Sequence, residues 1–228
     1  MIKDGLENVI ERIKAAATGC RRAPATLQLV AVSKTVPAVR VEEAINAGAA
    51  IFGENYVQEA REKIETLSVF PVKWHFIGHL QSNKAKYAVK LFDLIHSVDS
   101  LKLARELNKQ TGKLNRAQSI LIQVNIAEEE TKSGVSEQET VDLIREISQL
   151  EYLSIKGLMT MPPYFNAPDK VRPFFSALRE LRDQIKAMNI VNVSMDELSM
   201  GMTGDFEVAI EEGATLVRVG TAIFGERI

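Results

Sequence analysis

Lys34 closes an apolar run, Leu27-Gln28-Leu29-Val30-Ala31-Val32-Ser33-Lys34-Thr35. A long charged side chain at the mouth of a buried strand must be desolvated or reach back to water, so it is costly there unless its amine is used. Near the other end of the chain lie two glycine-bearing segments, Leu198-Ser199-Met200-Gly201-Met202-Thr203-Gly204-Asp205 and Val217-Arg218-Val219-Gly220-Thr221, each at the end of an apolar run. Glycine lets the backbone approach a phosphate closely, free N–H groups donate to it, and the positive end of a following helix attracts it. Ser199 to Thr203 leads into a helical pattern near Gly204-Asp205, Gly220-Thr221 is a second point of close approach, and Arg218 sets a cation beside them. An amine that can condense with a carbonyl, facing a phosphate cradle, points to an aldehyde cofactor that carries a phosphate.

Condensation needs the neutral amine, so a lysine with an ordinary pKa of about 10.4 must be pushed down to react at neutral pH. Desolvation at the strand end and a neighbouring arginine both push that way. The histidines call for a metal check. His75 and His79 share a face, but Trp74-His75-Phe76-Ile77-Gly78 reads as a strand, on which the pair stands roughly 13 Å apart at about 3.3 Å per residue. That is too far for one ion, and no metal is expected. The sequence has no Walker-type loop, no serine in a nucleophile elbow and no Cys-x-x-Cys pair.

These residues need a frame to bring them together. Apolar, β-rich runs recur at about 27–34, 49–53, 73–80, 94–98, 119–125, 153–160, 197–201 and 215–224. Between them fall segments of helical periodicity, for example at 39–47, 58–67, 101–111, 137–150, 171–188 and 206–212. Alternation of strand and helix calls for parallel pairing, and eight strands call for closure into a (β/α)8 TIM-type barrel. An open doubly wound sheet is the competing arrangement. Ile2, Leu6, Val9, Ile10, Ile13 and Ala17 mark an extra amphipathic helix before the first strand, expected to cover a barrel end or flank. In a closed barrel the first and last strands are neighbours. Alternation then sets Val30, Val32 and Lys34 on one face and Leu216, Arg218 and Gly220 on one face, with both sets directed into the barrel mouth. The irregular piece Met161-Pro162-Pro163-Tyr164-Phe165-Asn166-Ala167-Pro168 is expected at the same carboxyl rim, because paired prolines force an extended exit.

A chain of 228 residues suits one domain, here residues 1–228, and 46% hydrophobic with 25% charged residues is the balance of a globular protein with a sizeable core. A formal net charge of −2 gives no electrostatic reason to expect nucleic acid or an anionic membrane as partner. The one cysteine, Cys20, has no internal disulfide partner. No stretch approaches the ~20 apolar residues of a membrane span, and the amino terminus lacks a secretory pattern, so a cytoplasmic location is expected. The exposed faces offer no seam, and a monomer is expected.

Taken together, several segments resemble one family, the pyridoxal phosphate homeostasis proteins. They are Ala31-Val32-Ser33-Lys34-Thr35, Phe52-Gly53-Glu54-Asn55-Tyr56-Val57-Gln58-Glu59, the run from Trp74 to Lys84, Gly157-Leu158-Met159, Leu198 to Thr203 and Val217 to Gly225. The resemblance implies a barrel similar to the alanine racemase amino-terminal domain (fold-type III), with pyridoxal 5′-phosphate held as an internal aldimine on Lys34. It implies that Ser199, Met200, Gly201, Gly220 and Thr221 bind the phosphate and that Arg218 faces the pyridine nitrogen. Asn55 and His79 are implied as lesser contacts to the ring or its surroundings.

A guanidinium cannot take a proton from that nitrogen, which makes the ring a poorer sink for carbanions. Racemases offset this with an acid/base group from a further domain, and the sequence ends at Ile228 without one, so turnover is not expected. The implied role is intracellular vitamin B6 homeostasis: limiting the free cofactor and passing it to apo-enzymes. The alternatives are a small racemase and a Schiff-base aldolase acting on a sugar phosphate.

Overall fold

The structure, a computed structural model, describes residues 1–129, 132–163, 165 and 167–226. Eight strands follow in sequence: β1 (Gln28–Val32), β2 (Ile51–Glu54), β3 (Lys73–Phe76), β4 (Leu94–Val98), β5 (Gln118–Gln123), β6 (Leu153–Met159), β7 (Val193–Ser199) and β8 (Leu216–Val219). Each pairs in parallel with the next, and β8 returns to β1 with Val30 opposite Arg218, so the sheet is a closed barrel. Closure excludes the open doubly wound sheet and bears out the expected barrel.

The crossovers are helical: α2 (Ala38–Asn46), α3 (Val57–Thr66), α4 (Ala85–Leu91), α5 (Leu101–Gly112), α6 (Glu137–Ser148), α7 (Arg172–Ala187) and α8 (Phe206–Glu211). Ser100 and Ser136 cap α5 and α6 by accepting the amides of Leu103 and Glu139, which satisfies N–H groups that a helix start leaves open. The amino-terminal helix α1 (Ile2–Gly19) buries Ile2, Leu6, Val9, Ile13 and Ala17. It packs beside α2, α8 and the four-residue α9 (Thr221–Phe224). Among the described residues β8 is followed by that short helix, and α1 takes the place beside it in the outer ring. It flanks the barrel and does not plug an end.

Period-two alternation splits the core in two. Val30, Leu94, Leu121, Met159 and Leu216 fill the barrel interior with Ile51, while Ala31, Phe52, Trp74, Ile95, Ile120 and Val217 face the helices.

Several features differ from the sequence expectation. β1 ends at Val32, so Lys34 lies in the turn beyond the strand. The run expected as one strand to residue 224 breaks into β8 and α9, with Gly220 between them. β7 starts at Val193, before the expected 197, and α4 supplies the crossover between β3 and β4, where the sequence reading singles out no particular segment.

Candidate functional site

A cavity of about 240 Å³ opens at the carboxyl ends of the strands, the end at which loops diverge and barrel enzymes place their chemistry. Lys34 lines it from the turn after β1, Asn55 from the residue after β2, and Arg218 from β8 itself, with Gly220 and Thr221 beyond. Met202, Thr203, Gly204 and Asp205 line it from the β7–α8 connection. Val32, Ile77, Met161 and Phe165 supply an apolar wall, and Phe165 stacks on Phe174 of α7 with ring centroids 6.0 Å apart. The expectation that the proline-bearing loop reaches this rim holds at Met161 and Phe165, while Tyr164 and Asn166 lie outside the described residues.

Glycine is needed here for space. A Cβ on Gly220 would stand 3.2 Å from the Val32 carbonyl oxygen, so a side chain would crowd the mouth between β1 and β8. A Cβ on Gly78 would overlap the backbone of Asn55, so the exits of β2 and β3 lie against each other. The first N–H groups of α9, at Thr221 and Ala222, have no intrahelical acceptor by construction. Those amides, with the Thr203-Gly204 backbone, are the donors available to an anion. The amide of Met202 is already taken by Asp205 Oδ1 at 2.6 Å.

Arg218 forms the floor. Its side chain is buried, and burial lowers its pKa to about 10, opposed by the nearby Asp205 charge, so it remains a cation at neutral pH. Nη1 donates to Ser199 Oγ at 2.6 Å and Nη2 to the Thr160 carbonyl at 2.9 Å. The chain of contacts continues inward: His96 Nδ1 lies 2.8 Å from Ser199 Oγ, and His96 Nε2 lies 3.0 Å from His75 Nδ1. A guanidinium only donates, so Ser199 accepts from it and has its own hydrogen for His96. His96 then donates from Nε2 to His75. Burial lowers the pKa of both imidazoles, His75 to about 4 and His96 well below the usual histidine range. The interior beneath the cavity is thus a hydrogen-bonded row of neutral groups anchored on one cation.

The sequence of the chain matches the alanine racemase amino-terminal domain family over residues 6–228. A pyridoxal phosphate homeostasis protein of Aquifex aeolicus is 47% identical over 222 residues, which cover 97% of this chain and 96% of that protein. The chain belongs to the family of pyridoxal phosphate homeostasis proteins. Among solved structures similar to it is PipY of Synechococcus elongatus, determined with PLP bound: 38% identity, TM-score 0.82, covering 93% of this chain and 100% of that one. An alanine racemase from Corynebacterium glutamicum, 16% identical with a TM-score of 0.74, shares the fold across 99% of this chain and 62% of its own.

Of the nine residues that the family resemblance singled out, Lys34, Asn55, Arg218, Gly220 and Thr221 line the one cavity. His79 is exposed in an adjoining cavity that shares Asn55, with Nδ1 3.3 Å from Ser133 Oγ. Ser199 lies beneath the floor, its hydroxyl between Arg218 and His96. Met200 is buried with its amide bonded to the Leu216 carbonyl, and the Gly201 carbonyl accepts the Arg218 amide. These three tie β7 to β8, and the segment that faces the cavity is the next one, Met202 to Asp205. Sequence reading passed over His96. Strand parity could have found it, since Leu94 and His96 share a face of β4 and Leu94 points inward.

Proposed function

We propose that this protein binds pyridoxal 5′-phosphate in the Lys34 cavity, links it to Lys34 as an imine, and serves as a carrier that limits its free concentration. The observation that carries this reading is the convergence, on one cavity, of Lys34, the Arg218 cation and two glycine-bearing segments with backbone donors. The names of the relatives and the PLP-bound PipY structure support it.

The residues fit the group. The Thr203-Gly204 and Thr221-Ala222 amides would hold the phosphate, Arg218 would face the pyridine nitrogen, and Asn55 would lie beside the ring. Asn55 Oδ1 is a buried acceptor with no protein donor among the described residues, as a ligand contact requires. When bound, the cofactor supplies an aldehyde that an amine can capture, losing one water as C=N replaces C=O, with no oxidant or reductant.

This chain's own groups disfavour turnover. Arg218 is a permanent cation that can only donate, so beside the ring nitrogen it would disfavour protonation there, and the neutral row behind it offers no stronger acid. We further propose that it delivers the cofactor to apo-enzymes and acts as a monomer. Among the described residues no helix is long and apolar enough to cross a membrane.

The test is the absorption spectrum of the purified protein with the cofactor, together with borohydride trapping. A visible band that is lost in Lys34→Ala, with no α-hydrogen exchange across a panel of amino acids, is the expected result. Sustained exchange would establish a racemase. A colourless protein that borohydride traps only with a sugar phosphate present would establish an aldolase.

A further inference from the structure

Behind the Lys34 turn, between the barrel wall and α3, lies a charge cluster that the cofactor site does not use. Lys63 of α3 is 5% exposed, and its Nζ donates to Glu54 Oε1 at 2.6 Å, the Ser33 carbonyl at 2.7 Å and Glu59 Oε1 at 2.9 Å. An ammonium has three N–H groups, and all three are spent. Glu54, fully buried, also accepts the Ser33 hydroxyl at 2.6 Å, and Glu59 accepts the Thr35 amide at 2.6 Å. Both neighbours of Lys34 are therefore tied to the cluster, Ser33 by its carbonyl and hydroxyl, Thr35 by its amide.

Local geometry shows what the ties accomplish. Thr35 has φ of 64°, the left-handed region that a β-branched residue adopts only when its surroundings impose it. Ser33 is bonded to the cluster on one side of the turn and Lys34 lines the cavity on the other, so fixing the first residue sets the direction of the next. Stability alone does not call for such a cluster, because desolvating charges offsets much of their attraction and an apolar contact would fill the same space. Direction does call for it: hydrogen bonds fix orientation in a way that apolar packing does not.

We infer that Lys63, with Glu54 and Glu59, is a positioning unit that aims Lys34 into the cavity by holding the Ser33 and Thr35 backbone, while touching no ligand itself. The inference rests on the proposal that Lys34 captures the cofactor aldehyde.

Two ligands separate aiming from binding. Pyridoxal 5′-phosphate reports capture by Lys34, through its visible band and borohydride trapping. Pyridoxamine 5′-phosphate has no aldehyde and reports only the grip on ring and phosphate, by calorimetry. In the full chain, Lys63→Met should slow imine formation about tenfold or more and keep the wild-type affinity for pyridoxamine 5′-phosphate. Lys63→Met combined with Glu54→Gln removes the charge stranded by the first change and should behave the same way. Glu59→Gln, which keeps its acceptor, should stay near wild type, and Glu59→Ala should fall. Unchanged trapping rates in the Lys63 variants would overturn the inference, as would equal losses for both ligands, which mark general loosening. Wild-type protein that captures no aldehyde would overturn the proposed function itself, and this inference with it.

Discussion

Ser199 has one hydroxyl and two neighbours that depend on it, Arg218 at 2.6 Å and His96 at 2.8 Å. Removing it in Ser199→Ala leaves a guanidinium N–H and an imidazole nitrogen facing each other in a closed interior. Each unmet buried polar group costs about 1–3 kcal/mol, so urea unfolding should show the variant less stable by that order. An unchanged midpoint would mean that the row beneath the cavity bears no load. Ser199 also shows how far residue types alone carry. Its position at a strand end beside glycine was legible, and it suggested a phosphate contact, but its partner on β4 lies too far along the chain for local spacing to reveal. Lys34 and Arg218 were legible because barrel closure makes their strands adjacent. The Lys63 cluster was not, since a lysine on a helix reads as solvated until its exposure is known.

At the scale of elements, the β7–α8 connection is the most constrained part of the site. Gly201 has φ of 89°, and a Cβ there would sit 2.6 Å from the Ala209 Cβ of α8. Gly201→Ala combines left-handed strain of roughly 1–2 kcal/mol with overpacking of about 1–3 kcal/mol, so destabilisation of about 2–5 kcal/mol is expected in a denaturant titration. A loss below about 1 kcal/mol would show that α8 can move aside, and would weaken the idea of a fixed cavity wall. Alternating apolar runs disclosed the eight strands and the barrel, because parallel crossovers leave few other solutions. They misplaced ends where short apolar runs suit either element. Ala222-Ile223-Phe224 reads equally well as strand or helix, and only Gly220 in a non-extended conformation, φ −119° and ψ −70°, separates them. In α4, Ala85, Ala88 and Val89 follow helical spacing, but over seven residues the signal is too short to stand out.

The molecule as a whole divides along its axis. The base of the barrel is filled by apolar side chains such as Val30, Leu94 and Leu216, and the layer beneath the mouth is polar, built from His75, His96, Ser199 and Arg218. That layer tolerates one cation because its histidines stay neutral. Burial, with Lys73 adding, lowers the His75 pKa from 6.5 to about 4; burial, with His75 and Arg218 adding, lowers that of His96 further still. The unfolded chain takes up protons at ordinary histidine values, and the native state refuses them. Stability therefore falls as pH drops from about 6.5 towards 4, and these groups contribute no slope above that window. Burial raises Glu54 and Asp205, so the native state holds their protons to higher pH, and their contribution has the opposite sign. A bare stability profile mixes the two, and a comparison with His75→Gln separates them. The His75 shift corresponds to about 3 kcal/mol at most. The wild type should lose more stability than the variant between pH 6.5 and 4, by up to that amount, in chemical denaturation at a series of pH values. Parallel profiles would place a charged imidazole at His75, in the row that leads through His96 and Ser199 to Arg218, and a layer that accepts such a charge could not be the neutral support on which the Arg218 contact depends.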